Sequence, residues 1–261
     1  MNKIVVITGA TSGIGKKLKE LFLNYNDIVF SISRSEEITK NSYPCDISDI
    51  NQIKNAFEYI KSIYGHIDIL INNAGYGISG ATELITDENT RKIFDVNFFG
   101  ALNCIRSALP LMNNKSKIFN IASACAIFPL PYRSLYCATK SALDILSQSM
   151  ALELNPYGIY VVSICPGDIK TNFSPNRVKN FQTNERYLNR IENATNHIDK
   201  RENKRMSVDY AGKKIYKICT KKHPKQRYII GFKYKMFYIA QKLIPLRIFN
   251  KILAKIFDGR K

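Results

Sequence analysis

Tyr136 and Lys140 stand four residues apart, and Ser123 lies thirteen residues upstream of the tyrosine. On a helix, positions i and i+4 share one face, so this spacing sets an ammonium beside a phenol. A free phenol titrates near pH 10, and moving it toward 7 takes about 4 kcal/mol at ~1.36 kcal/mol per unit. A fixed lysine in a dry site is one source of that stabilisation. The chemistry open to such a pair is acid–base proton transfer by the phenol. Taken alone, a Tyr-x-x-x-Lys pair also describes an ordinary solvated helix face. Its company in the chain is what favours chemistry.

The first such companion is Thr8-Gly9-Ala10-Thr11-Ser12-Gly13-Ile14-Gly15, placed directly after the apolar run 4–7. Glycines in a strand-to-helix turn let backbone N–H groups approach a phosphate, and the helix that follows offers its positive end. Such glycines can also merely relieve crowding, but the position between strand and helix favours dinucleotide binding. A second companion is Arg34, flanked by Ser33 and Ser35 after the apolar run 28–32. An acidic residue there would hold a ribose 2′-hydroxyl and select NAD. A guanidinium clamps a 2′-phosphate instead, so NADP(H) is preferred over NAD(H), unless Arg34 is only a solvated strand-end charge.

The elements that position these residues follow from periodicity. Short apolar runs at 4–7, 28–32, 67–71, 117–122 and 160–165 alternate with helical patterns at 13–25, 50–64, 90–112 and 135–155. The runs lack alternation, as strands buried on both faces do. The expected fold is α/β, a Rossmann-type doubly wound parallel sheet in one domain spanning 1–261. Its parts are a cofactor and catalytic core (1–171), a polar loop with short helices around the substrate (172–227), and an amphipathic C-terminal extension (228–261). That extension reads as an appendage rather than a further βα unit. Pro245 limits its uninterrupted helix to the residues that follow. Asp46 follows Arg34 by only twelve positions, so the helix usual between the second and third strands is absent or reduced to a turn.

Composition narrows the function classes. Net charge is +18, yet residues 1–160 carry 15 basic against 14 acidic side chains and residues 161–261 carry 24 against 7. This field suits an acidic partner or surface. No nucleic-acid motif accompanies it, so nucleic-acid binding is not expected. His66, His197 and His223 lack ligand spacing, and no metal site is expected. The six cysteines form no CxxC pair and read as buried free thiols of a reducing compartment. With no signal-peptide pattern and no run of the roughly 18 apolar residues that span a bilayer, a cytoplasmic location is expected.

The ordered set of segments resembles the short-chain dehydrogenase/reductase family in its ordinary-length form. It comprises Thr8 to Gly15, Asp46, Asn72-Asn73-Ala74-Gly75, Asn97, Ser123 in Asn120-Ile121-Ala122-Ser123, Tyr136-Cys137-Ala138-Thr139-Lys140, and Pro166-Gly167 through Thr171. The match covers residues 1–171 and loosens beyond. It implies that Tyr136 exchanges a proton with the substrate oxygen, that Ser123 hydrogen-bonds the same oxygen, that Lys140 also holds the nicotinamide ribose, and that Asn97 anchors a water relay behind Lys140. Without the resemblance, Asn97 reads as a helix-interior residue satisfying backbone groups. The resemblance also implies cofactor contacts from Gly9, Thr11, Ser12, Gly13, Ile14, Gly15, Arg34, Asp46, Ile47, Asn73, Ala74, Gly75, Tyr136, Lys140, Pro166, Gly167, Ile169 and Thr171. Ala122 departs from the pattern, replacing a serine common before Ser123.

Asn73-Ala74-Gly75-Tyr76-Gly77 and Pro129-Leu130-Pro131-Tyr132 are similar to the branch of 17β-hydroxysteroid-type and retinol-type dehydrogenases. The implied function is NADP(H)-dependent interconversion of a carbonyl and a secondary alcohol on a small apolar substrate, by a homodimer or homotetramer. Two alternatives stand beside it: reduction of a 3-oxoacyl group on an acidic carrier, and a non-catalytic nucleotide-sensing scaffold. The intact Ser123, Tyr136 and Lys140 weigh against the last. The C-terminal extension has three readings: a wall of the substrate pocket, a peripheral contact with a lipid surface, or packing on the core.

Overall fold

The computed structural model describes residues 2–171, 177–199 and 205–257. Parts of the expected substrate loop, residues 172–176 and 200–204, and the chain end from 258 lie outside the described residues. Seven strands form one parallel sheet: β1 (Ile4–Thr8), β2 (Ile28–Ser33), β3 (Ser42–Pro44), β4 (Ile67–Asn72), β5 (Met112–Ile121), β6 (Tyr160–Pro166) and β7 (Arg227–Ile230). Their order is β3-β2-β1-β4-β5-β6-β7. The direction of winding reverses between β1 and β4, and a crevice opens there at the strands' carboxyl ends.

Helices cover both faces, as unbroken Val and Ile runs require. Val5 and Ile7 of β1 pack on one side against Leu18 and Phe22 of α1 (Gly13–Asn24) and Ile215 and Ile218 of α7 (Val208–Cys219). Val6 joins the opposite layer with Ile53 and Ile60 of α2 (Ile50–Tyr64), Ile105 of α4 (Ala101–Ala108) and Met150 of α5 (Ser134–Leu154). Ahead of α4 runs α3 (Asp87–Phe94), and α6 (Arg190–Asp199) lies in the region expected to be loop and short helices. The chain passes from β2 to β3 without a helix, as the short spacing implies, and the link closes through a bridge between Thr39 and Ser42.

Two elements differ from expectation. The pattern across 90–112 is not one helix: α3 runs into a π-helical segment, Asp95–Gly100, before α4 resumes. The apolar stripe continues through this wide turn, so periodicity alone does not reveal it. More consequentially, the C-terminal stretch is not an appendage. Arg227–Ile230 is the seventh strand, parallel to β6 with Ile229 opposite Cys165, and α8 (Phe232–Leu243) follows it as a βα unit. Its first residue carries a charge that reads as solvated, but the Arg227 Nε donates to Oδ1 of the buried Asp144 at 3.0 Å, and Nη2 pairs with Oδ2. The Ser163 hydroxyl donates to the same Oδ1.

The last helix, α9 (Leu246–Phe257), turns back on α8 after Pro245. Phe249, Leu253 and Phe257 are buried in a third apolar cluster with Phe128, Leu130, Tyr136 and Tyr234. Phe128 meets the rings of Tyr234, Phe237 and Phe249 at centroid separations of 6.2, 5.8 and 6.4 Å. One face of the basic tail therefore packs on the core and roofs the carboxyl end of the sheet.

Removing the Arg227 guanidinium leaves the Asp144 carboxylate buried and unpaired. Arg227→Met is expected to lower stability by about 3 kcal/mol, or roughly 6–12 °C in Tm for a chain of this size, in thermal and urea unfolding. A change within experimental error would show that the pair does not hold β7.

Candidate active site

The site begins where β1 ends. The Thr8 hydroxyl accepts from the backbone N–H groups of Asn73 at 3.0 Å and Ala74 at 3.1 Å, while the Asn73 amide donates to the carbonyls of Thr8 at 3.1 Å and Gly9 at 3.0 Å. These four bonds tie the end of β4 to the glycine turn. Gly15 has no room for a side chain: a Cβ there would lie 2.2 Å from the Gly9 carbonyl oxygen. The first turn of α1 is thereby pressed onto the turn, leaving backbone N–H groups and the helix's positive end facing the crevice.

A cavity of about 870 Å³ fills that crevice. Every residue of the expected catalytic and cofactor set lines it except Gly15 and Asn97, which lie immediately behind. At one end stand Ser33, Arg34, Asp46 and Ile47. Asp46 is engaged locally, accepting from the Ser48 N–H at 2.9 Å and hydroxyl at 2.7 Å. The nearby acid Glu36 turns away, paired with Lys19 at 3.4 Å and accepting from Ser31, so Arg34 is the charged side chain presented after β2.

At the other end, β5 finishes at Ile121 and Ser123 caps a short 3₁₀ turn, its hydroxyl accepting from the Cys125 N–H at 3.1 Å. Tyr136 and Lys140 occupy the first two turns of α5 and are 9% and 4% exposed. The Lys140 ammonium donates to the Ile121 carbonyl at 2.9 Å. Burial pulls its pKa down to about 8, against a smaller pull upward from Cys165 and Cys125. Burial also pushes the Tyr136 phenol well above its ordinary range, with Cys125 adding to the rise and a hydrogen bond with Ser123 opposing it. In the protein alone, then, desolvation outweighs the acidifying effect expected of a lysine neighbour, and the phenol keeps its proton.

Asn97 sits in the π-helical segment. Its Oδ1 accepts from the Tyr76 N–H at 3.0 Å, and its Nδ2 donates to the Tyr76 carbonyl at 2.9 Å and the Thr139 hydroxyl at 3.2 Å. It meets Lys140 across Gly75, where a Cβ would lie 2.8 Å from Asn97 Oδ1 and 3.4 Å from Lys140 Nζ. The backbone-satisfying role open to Asn97 is thus realised at the very place where the cavity floor and the lysine meet. Sequence reasoning did not single out Phe128, Arg133 and Asp168 as lining residues, and no motif spacing marks them. Tyr234 and Phe257 do line the cavity, as the reading of the C-terminal extension as a pocket wall expects.

Geometry of this kind has counterparts among known proteins. The family model for short chain dehydrogenase matches residues 3–182. This chain belongs to that family. A 3-ketodihydrosphingosine reductase of Bacteroides thetaiotaomicron is 36% identical over 236 residues, covering 88% of each chain. An NADPH-dependent 3-dehydrocapnine reductase of Ornithobacterium rhinotracheale is 29% identical over 277 residues, covering 97% of this chain and 96% of the relative. Among solved structures, a short-chain dehydrogenase from Streptomyces avermitilis superposes with a TM-score of 0.81 at 25% identity, covering 100% of this chain and 99% of that one. The protein is an NAD(P)-binding oxidoreductase acting on CH–OH groups.

The lysine's titration can be read in stability. Its folded value near 8 lies below the unfolded value of about 10.4, so between those values the unfolded chain holds the extra proton and stability rises with pH. In urea titrations from pH 7 to 10, the native protein should gain on the order of 3 kcal/mol relative to Lys140→Met across that window. Parallel curves would show that Lys140 is not desolvated.

Proposed function

We propose that the enzyme uses NADP(H) to reduce a ketone on an apolar substrate, with Tyr136 as proton donor. The observation that carries this reading is the buried, protonated phenol of Tyr136 beside Ser123 at the apolar end of the cavity. A nicotinamide cofactor bound in the cavity supplies the hydride that the carbonyl carbon receives. Ser123 and Tyr136 donate hydrogen bonds to the carbonyl oxygen, and the phenol proton follows as negative charge gathers there. Lys140, one helical turn on and releasing its own proton near pH 8, stabilises the phenolate and restores its proton. Asn97 holds the Tyr76 backbone, next to the Gly75 against which this lysine rests. Arg34, free of the acid that would favour NAD, receives the 2′-phosphate. Both relatives above are named as reductases, one of them NADPH-dependent, which agrees with this direction and cofactor.

The roof over the site supports a contact with anionic lipid. The outer faces of α8 and α9 expose Phe232 (79%), Met236, Ile239, Leu243 (78%), Ile248 and Ile252. Residues 232–257 carry six Lys or Arg and no acid. A face of this kind lies in a headgroup layer with its cations among phosphates. No helix among the described residues is long and apolar enough to cross a membrane. Exposed Ile145 and Leu152 on α5 offer the long-helix surface through which the family resemblance implies a dimer or tetramer.

Tyr136→Phe should lower kcat for ketone reduction by roughly 10²–10⁴-fold while NADPH still binds, and Arg34→Ala should weaken NADPH roughly 10- to 100-fold with NADH little changed. Undiminished turnover in Tyr136→Phe would overturn the assignment. Sedimentation with vesicles should show binding to phosphatidylserine-containing but not purely zwitterionic membranes, weakened by salt and by Phe232→Glu with Leu243→Glu. Binding indifferent to lipid charge would remove the electrostatic contribution.

A further inference from the structure

Arg133 immediately precedes α5, three residues ahead of Tyr136. Its side chain is only 7% exposed, yet Nε and Nη2 are shut off from solvent and meet no hydrogen-bond partner among the described residues. A guanidinium cannot escape this by losing its proton. Leaving it buried and unpaired costs far more than an ordinary surface charge. Asp168, an acid that lines the same cavity, accepts from the Tyr234 hydroxyl at 2.6 Å and forms no ion pair with Arg133. Arg133 lines the same cavity as Tyr136 and Ser123. Tyr76, which lines the same cavity, likewise has a buried hydroxyl with no hydrogen-bond partner among the described residues.

We infer that Arg133 anchors an acidic group of the substrate, a carboxylate, sulfonate or phosphate, carried close to the reacting carbonyl. This deepens the reading of Tyr136 as proton donor and rests on it. The cofactor's own phosphates do not account for the arginine. The pyrophosphate belongs at the N-terminus of α1 and the 2′-phosphate at Arg34, whereas Arg133 lies at the end held by Tyr136. A rise of three residues is about 4.5 Å, so the acid and the carbonyl sit at one end of the substrate. Phe128, Leu130, Tyr234 and Phe257 line the same cavity and share one apolar cluster with Tyr136. The substrate class is therefore an amphiphile: an acidic head next to a ketone, on an apolar chain. A forked guanidinium in a dry wall binds an oxyanion in two parallel hydrogen bonds and fixes its orientation, which sets the carbonyl oxygen against Tyr136 rather than sliding along the apolar wall.

The test uses the full chain with NADPH and three matched ketones: 3-oxodecanoate, 2-oxononylphosphonate and the neutral methyl 3-oxodecanoate. The anionic substrates should exceed the ester in kcat/KM by roughly 10- to 100-fold, chiefly through KM. Whichever anion leads identifies the head group. Arg133→Met should collapse the ratio toward one, and Arg133→Lys should keep part of it as a point charge without the fork. A second measurement needs no turnover: decanoate should raise the Tm of the NADPH-loaded native protein and not that of Arg133→Met or Arg133→Gln. Equal use of acid and ester by the native enzyme, or an unchanged ratio in Arg133→Met, overturns the inference. If no ketone is reduced but decanoate still raises Tm through Arg133, the anion site stands and the catalytic reading of Tyr136 falls.

Discussion

At the point where the sheet reverses its winding, two neighbouring strands end in a shared knot of hydrogen bonds. The Thr8 hydroxyl serves two N–H groups of the β4 end, and the Asn73 amide serves two carbonyls of the β1 end. Each bond satisfies a backbone group that the sheet ladder leaves off and that burial would otherwise make costly. The knot also fixes a distance. With Asn73 holding the Gly9 carbonyl, α1 can begin only where Gly15 passes that oxygen at a separation no side chain tolerates. The glycine turn and the floor below Lys140 are thus consequences of one junction, and both halves of the cavity inherit their positions from it.

The opposite wall is set by desolvation. The aromatic packing of Phe128 with Tyr234, Phe237 and Phe249 lays an apolar wall over the carboxyl end of β5 and β6. The same dry wall acts on each titratable group behind it. It keeps the phenol protonated, brings the lysine close to neutrality, and leaves the Arg133 guanidinium, which has no such recourse, in need of a partner. One cause therefore raises the pKa of a phenol, lowers that of its lysine neighbour and leaves a guanidinium unpartnered across the start of α5. Pro245 lets α9 fold back, so that a tail with 24 basic residues in its hundred can roof an apolar pocket at all.

How much of this was legible in the sequence depended on whether a constraint is local. The glycine turn, the Tyr136–Lys140 face and the missing helix after Arg34 all follow from spacing along the chain, and the fold class from buried apolar runs between helical patterns. The π-helical segment around Asn97 was not legible because a wide turn leaves the apolar stripe intact. Strand β7 was hidden because Arg227 opens it with a charge whose partner, Asp144, lies 83 residues earlier. Arg133 carried no signal for the opposite reason: arginine before a helix is ordinary, and only burial without a partner makes it unusual. What sequence could not express in each case was an interaction between distant segments.

The two faces of the C-terminal helices join these strands of the argument. Their inner face supplies Tyr234 and Phe257 to the cavity, and their outer face presents Phe232 and Leu243 among cations. A helix pair apolar on both sides buries neither completely against a small core; it is stable where its outer side also finds an apolar or interfacial medium. On the proposed lipid contact, an amphiphilic ketone would partition into that same medium, its acidic head at the level of the lysines and its chain among lipid. Passage from the interface into the cavity would then exchange one apolar surrounding for another, while the head would move from a lysine-rich surface to the buried guanidinium of Arg133. Hydrophobic transfer would contribute little net free energy to such a step, because the apolar chain is away from water at both ends of the path. Selection among ketones would therefore rest on the acidic head and on the fit around Tyr136, rather than on the length of apolar chain.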